Sequence, residues 1–330
     1  MNPVELLKSL INIPSITGEE AQISLFLSEL LKKTGLNVLS QSVEGSRINL
    51  FADTGCPSKV VLCTHMDTVP PFIPASEDKY TIYGRGACDA KGSLAAMVAA
   101  AKELIDEGEK RFGLLLVVGE EGDSIGAKTA NGLNIQSEFI IVGEPTKNKL
   151  ASSHKGIIWM RLISKGKTAH SAYPDLGDSA VDKLLNALDF LRQVDLSENS
   201  DSGKSTINIG RIEGGLSANM VPGSACAEIV VRCVEPVYNV IQKISAGLKN
   251  LVEVKIISRS DPQKMFTVPN IEQTVVPFGT DIPHLKTFGK PLLLGPGDGI
   301  DAHAETEKVQ KSQLREAVLL YKQLVQQLLG

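Results

Sequence analysis

Residues 61–71 read VLCTHMDTVPP. An apolar run that has the character of a buried strand ends abruptly in His65, and Asp67 follows two residues on. A polar pair at the mouth of a buried strand has to be hydrogen-bonded or put to use, because desolvating it without partners is costly. FGLLLVVGEEGD (112–123) and EFIIVGEP (138–145) repeat the theme, each an apolar strand followed at once by Gly and Glu. Unbroken rather than alternating apolar strands indicate a sheet covered on both faces, hence an α/β fold.

Outward from these strands, the pattern turns helical. ITGEEAQISLFLSELLKKTG (16–35) predicts a helix capped by Thr17, with Glu20 three residues later and a stop at Gly35. Ile23, Phe26, Leu27, Leu30 and Leu31 share one face of it. KGSLAAMVAAAKELIDEG (91–108) predicts a small-residue helix suited to close packing on a sheet. From about residue 155 the order changes to strand GIIWMRLISKG, helix DSAVDKLLNALDFLRQV, strands STINIGRIEGG and SACAEIVVRCV, helix YNVIQKISAGLKNL and strand VEVKIISRS. That βαββαβ unit can fold by itself. The strand PLLLGPGDG and a helix from about Glu305 then resume the first domain. The expected organisation is a large domain of residues 1–154 and 262–330, with residues 155–261 inserted as a smaller one.

Composition excludes several classes. With 330 residues, 42% hydrophobic and 22% charged, and a mean hydropathy of +0.02, the chain is globular. A net charge of -4 and a pI near 5.8 offer no field for a polyanion, so nucleic acid is not an expected partner. No apolar run approaches the roughly 18 residues of a membrane span. The opening MNPVELLKSL lacks a signal peptide's layout. Five cysteines, an odd number without C-x-x-C spacing, point to small buried thiols, Cys88 included, in a reducing cytoplasm. No phosphate-cradling G-x-x-x-x-G-K-[ST] loop is present, which argues against a nucleotide-driven enzyme, and the one G-x-S-x-G match, GDSIG (122–126), overlaps the GEEGD carboxylates, so a serine hydrolase stays the weaker reading.

The polar groups that terminate apolar strands form a constellation: His65 and Asp67, Asp89 after YGRGAC, Glu120 and Glu121, Glu144, and His303 after GPGDGIDA. Loops beyond the carboxyl ends of strands in an open α/β sheet converge on one crevice. Any one of these groups alone is an ordinary loop residue. Five such sites at the ends of separate strands, beside Gly or Pro, have the ligand chemistry of a divalent metal centre. They are too many for one tetrahedral ion, and a bridging carboxylate makes a pair of metals the economical reading.

THMDTVP, YGRGACDAKGSLAAM, GEEGD, VGEPT, GKTAHSAYP, GGLSANMVPG and GPGDGIDAHAE, in that order along essentially the whole chain, resemble the motifs of the di-zinc aminoacylase and carboxypeptidase family. That family includes acetylornithine and acetyllysine deacetylases, succinyl-diaminopimelate desuccinylase and glutamate-releasing carboxypeptidases. The resemblance implies a zinc-exopeptidase-like α/β catalytic domain with a lid that serves dimerisation. It assigns one zinc to His65 and Glu144, the other to Glu121 and His303, and makes Asp89 the bridge; cobalt or manganese can substitute. Asp67 would orient His65 through its far ring nitrogen, and Glu120 would serve as general base and acid on a bridging water. A cis peptide after Asp89 is also implied. In the lid, His170 would bind the scissile carbonyl or its oxyanion, in dimeric members from the neighbouring subunit. Asn219 and Arg232 would hold the substrate amide and carboxylate, and Gly295 and Gly297 would let backbone approach substrate. His154 and His284 match no such role.

All members hydrolyse an amide flanked by a free carboxylate. CDAKG and the short chain lean towards N-acetylornithine or N-acetyllysine deacetylation in arginine or lysine biosynthesis, with Asp298 and Asp301 as receivers of a side-chain ammonium or as turn formers. Dipeptidase, carboxypeptidase and desuccinylase activity on the same scaffold are the alternatives. A non-catalytic binding protein is the reading from another class, opposed by the presence of every ligand and of Glu120.

Overall fold

The computed structural model describes residues 1–199 and 203–330. The chain divides into two units: Met1–Ser152 with Met265–Thr274 and Thr280–Gly330, and Ser153–Lys264 with Val275–Gly279. The second is wider than the expected insert of 155–261. Gln263 and Lys264 pair with His154 and Ser153, and the Lys155 N–H donates to the Val276 carbonyl, which draws both borders outward.

The first unit is built on a six-stranded sheet in the order Asn37–Glu44, Arg47–Asp53, Phe112–Val117, Val60–His65, Phe139–Val142, Lys290–Leu293. The last four strands run parallel to one another, and the first two form an antiparallel edge. Every residue of Val60–His65 and Phe112–Val117 is buried, as two-sided cover requires. Cover comes from helices Pro3–Ile11, Ala21–Lys33, Lys91–Asp106 and Lys311–Leu329, which share one apolar core with the sheet. Lys91–Asp106 buries nearly its whole length, and its run of alanines allows that close approach.

Two expectations fail locally. Thr17 does not cap the helix Ala21–Lys33: Glu20 stands at the N-cap, and the Thr17 hydroxyl donates to Asp67 instead. On that helix Ile23, Leu27 and Leu31 are buried, but Phe26 is exposed and Ser24 takes an inner position. The last helix begins at Lys311, not Glu305, because Lys308–Gln310 pairs with Thr81–Tyr83 and Glu307 is engaged elsewhere.

The second unit contains the expected βαββαβ order around an antiparallel sheet, Thr206–Gly214, Ser224–Cys233, Gly156–Lys165, Glu253–Ser260. Ala180–Gln193 and Val237–Leu248 cover one face, and their buried residues join Ile158, Met160, Leu162, Ala227, Ile229 and Val231 in a core of its own. Among the described residues, no helix is long and apolar enough to cross a membrane.

Candidate metal centre

The four parallel strands end on one edge of the sheet, and each delivers polar groups there. His65 is the last residue of Val60–His65 and is 1% exposed. Its Nδ1–H donates to the Asp67 carbonyl at 3.0 Å, and the Asp67 carboxylate lies 3.5 Å from the same nitrogen. Asp67 therefore orients the ring chiefly through its main chain. Its carboxylate has a second task, which the sequence did not disclose: it accepts the N–H groups of Gly119, Glu120 and Glu121 at 2.9, 3.1 and 3.2 Å, besides the Thr17 hydroxyl at 2.8 Å. Gly119, at φ 78, makes the turn that points these N–H groups inward, and a side chain there would strike the Arg47 guanidinium. Burial opposes ionisation of Asp67, yet its hydrogen bonds with His65, Thr17 and the Glu120 N–H hold the carboxyl below its ordinary range.

With Nδ1–H committed, the Nε2 lone pair of a neutral His65 faces Asp89 Oδ1 at 3.2 Å and Glu144 Oε1 at 3.9 Å. His303 Nε2 lies 3.0 Å from Glu121 Oε1 and 3.3 Å from Asp89 Oδ2. The two oxygens of Asp89 are thus divided between two groups, His65–Asp89–Glu144 and Asp89–Glu121–His303, in each of which the donor atoms lie within 4.8 Å of one another. Three acceptors facing each other repel unless a cation or a proton stands among them. Donors about 2.1 Å from a tetrahedral ion lie about 3.4 Å apart, which is close to the spacings here. The residues present fit a two-metal centre by donor chemistry and by spacing. The Asp89–Ala90 peptide is cis.

Protonation follows the same crowding. Hydrogen bonds to Asp89 and Glu121 push the His303 imidazole up to about 10 against the cost of burial. For His65, burial disfavours the charge, but Asp67 and Asp89 outweigh it and hold the ring well above its ordinary value. Asp89 is held low, because the two histidines outweigh its burial. Glu144 and Glu120 are driven well above the ordinary carboxylate range, first by burial and then by neighbouring carboxylates, with His65 opposing. Among the described residues no hydrogen bond holds the Glu120 carboxylate, which leaves it available for proton transfer.

Asp281 adds a buried carboxyl that carried no signal in the sequence. It is 2% exposed, its oxygens lack a hydrogen bond of normal geometry, and burial pushes it up to about 6.

Other expected residues are placed as follows. Asp298 is a turn former that accepts the Ile300 N–H and pairs with Lys147 at 2.7 Å; Asp301 pairs with Lys308 at 3.3 Å. Both already face a cation of the chain. Gly295 packs under Glu144, with the Glu144 carbonyl 2.5 Å from where a Cβ would lie, and Gly297 packs on Cys88 at 2.5 Å, so both are required by packing. In the second unit, His170 and Asn219 are neighbours: His170 bridges to Met220, and the Ser171 N–H donates to the Asn219 carbonyl at 3.0 Å. Arg232 stands near the far end of Ser224–Cys233, eight residues along and about 26 Å away at 3.3 Å per residue. One chain does not bring Arg232 together with His170 and Asn219. His154 is buried, its Nδ1 donating to the Lys155 carbonyl at 2.8 Å, and His284 is half-buried with Lys128 and Lys286 nearby.

Acidic and imidazole side chains gathered at the carboxyl edge of a mixed sheet make an arrangement that could hold divalent ions. The model of peptidase family M20/M25/M40 matches residues 61–327, and the chain belongs to that family. A peptidase M20 domain-containing protein of Schizosaccharomyces pombe is 42% identical over 337 residues, covering 98% of this chain and 84% of its own length. A probable carboxypeptidase of Emericella nidulans is 36% identical over 374 residues, covering 98% and 88%. The crystal structure of a tripeptidase from Staphylococcus aureus superposes with a TM-score of 0.82 over 98% of both chains at 22% identity, a likeness of fold.

Proposed function

We propose that this chain is a two-metal exopeptidase that cleaves a linear amide beside a free carboxylate, releasing the C-terminal residue of a small peptide. The observation that carries the reading is the division of the two Asp89 oxygens between His65–Glu144 and Glu121–His303, with the unengaged Glu120 beside them. His65, Glu144, Glu121, His303 and the shared Asp89 would hold two divalent ions, zinc or in its place cobalt or manganese. When bound, such ions supply Lewis-acid polarisation of the scissile carbonyl and acidify water. Glu120 takes a proton from the attacking water and hands it to the departing amine. Asp67 fixes the turn that carries Glu120 and Glu121, so base and ligand keep their spacing.

His170 would donate to the developing oxyanion, Asn219 would hold the substrate amide, and Arg232 would fork onto its carboxylate. Since one chain separates Arg232 from His170 and Asn219 by most of a strand, joint action on one substrate calls for two chains, and we infer a homodimer through the inserted unit. The free cysteines support a cytoplasmic setting. The names of the similar fungal proteins favour carboxypeptidase chemistry over deacetylation. N-acetylornithine or N-acetyllysine deacetylation is the second reading, carried by CDAKG, but it loses support where Asp298 and Asp301 already hold lysines.

The test is primary-amine release by the zinc- or cobalt-loaded protein from dipeptides, tripeptides, N-acetylornithine, N-acetyllysine and N-succinyl-diaminopimelate. Release from peptides, lost in Glu120→Gln, supports the proposal. Release from an acylated amino acid alone would replace it with the second reading, and silence throughout would refute both.

A further inference from the structure

Behind the ligands, a buried ion pair ties the loop of the shared aspartate to the loop of the second histidine. Arg85 is 3% exposed and Glu307 1%. Glu307 Oε2 accepts from Arg85 Nη1 at 2.7 Å, and Oε1 accepts from the N–H groups of Cys88 and Asp89, each at 3.1 Å. The rest of the guanidinium goes to carbonyls: Ala304 at 3.2 Å, His303 at 3.5 Å and Pro71 at 3.3 Å. One carboxylate therefore grips the peptide of Asp89, while its partner guanidinium grips the carbonyl of His303. His303 has its backbone at φ 64, a left-handed conformation that residues other than glycine rarely adopt. Among the described residues neither member of the pair hydrogen-bonds to His65 or Glu144.

A buried ion pair is a poor stabiliser in itself, because desolvation cancels much of its attraction. What this pair does have is geometry: every arm ends on, or within one residue of, a loop that presents a ligand, apart from the arm to Pro71. We infer that Arg85 and Glu307 are positioning residues that set the affinity of the Asp89–Glu121–His303 group for its ion. The inference rests on the two-metal reading above. Its mechanism is orientation: loosening the pair lets the Asp89 carboxylate and the His303 ring drift from their common point, while His65 and Glu144 stay fixed by the sheet.

Two variants separate this from a merely structural role. Arg85→Lys keeps a cation beside Glu307 but cannot span the carbonyls of Ala304 and His303. Glu307→Gln keeps the size and an acceptor for the two N–H groups but removes the charge that holds Arg85. Cobalt is titrated into the metal-free protein and followed by calorimetry and by visible absorption, with a thermal melt of the metal-free form as the folding control. In wild type two equivalents bind. In Arg85→Lys the equivalent held by Asp89–Glu121–His303 is expected to weaken by about 10–100-fold, and the other, which shares only Asp89 with that group, by distinctly less. Wild-type affinity at both sites, or equal weakening of both, would overturn the inference. If Arg85→Lys does not melt cooperatively, the same titration of Glu307→Gln decides. Failure of both variants to fold would mark the pair as a stability element and overturn it too. Absence of cobalt binding in wild type would reject the two-metal reading itself and the inference with it.

Discussion

At Asp67 one buried carboxylate accepts three successive main-chain N–H groups and a threonine hydroxyl. Replacing it by alanine leaves those N–H groups unsatisfied and frees the turn that carries Glu120. Asp67→Ala should lower kcat/KM by about 10–100-fold with KM little changed; a steady-state assay showing a KM effect alone would contradict this. His154 makes a prediction about pH. Burial depresses its pKa from the ordinary 6.5, with the Lys155 carbonyl opposing. The unfolded chain therefore binds the proton more readily than the folded one, and stability falls as pH drops below about 6.5. The difference in melting temperature between wild type and His154→Asn should shrink or reverse as pH falls through that window, and a difference independent of pH would count against it. That His65, Asp89, Glu120, Glu121, Glu144 and His303 converge was legible because each terminates or follows an apolar strand, whereas the choice of Glu121 over Glu120 as a candidate ligand came from the family resemblance alone. The role of Asp67 towards the Gly119–Glu121 turn was not legible, since it spans more than fifty residues; nor was Glu307, whose partners lie more than two hundred residues away.

Between strand Phe139–Val142 and helix Lys91–Asp106, Gly143 leaves no room for a side chain. A Cβ there would lie 2.7 Å from Met97 Cε, 2.7 Å from Ser93 Cβ and 3.1 Å from the Tyr321 hydroxyl. Gly143→Ala should cost about 1–3 kcal/mol of stability through overpacking and displace Glu144. Chemical denaturation of the metal-free protein would measure it, and an unchanged midpoint would refute the close approach. Elements of this kind were readable from hydrophobic period: the parallel strands, the small-residue helix and the βαββαβ order all emerge from the pattern of apolar residues. Element ends were less so. Thr17 carried the signature of a helix cap but serves Asp67, and the helix expected from Glu305 is delayed to Lys311 by a strand pairing and a buried ion pair. Both misreadings have one cause: a tertiary partner outbid a local rule.

For the whole molecule, the proposed joint action of Arg232, His170 and Asn219 on one substrate predicts sites shared between two chains. Sedimentation should give twice the chain mass. A mixed dimer of Glu120→Gln and His170→Ala chains should recover activity that neither homodimer has, because one of its two sites then combines an intact Glu120 with a partner's intact His170. A mixture as inactive as its parents would place His170 in its own chain's site or out of the reaction. The division into two units was visible in the sequence as a change of pattern near residue 155, although the return segment Val275–Gly279 belongs with the insert and carries no compositional mark. The centre itself is tested most directly by counting metal. Calorimetric titration of zinc into the metal-free protein should show two equivalents per chain, and Asp89→Asn, which blunts the one carboxylate shared by both groups, should weaken both. A single equivalent in wild type, or two that survive Asp89→Asn with full affinity, would contradict a centre built around a shared aspartate.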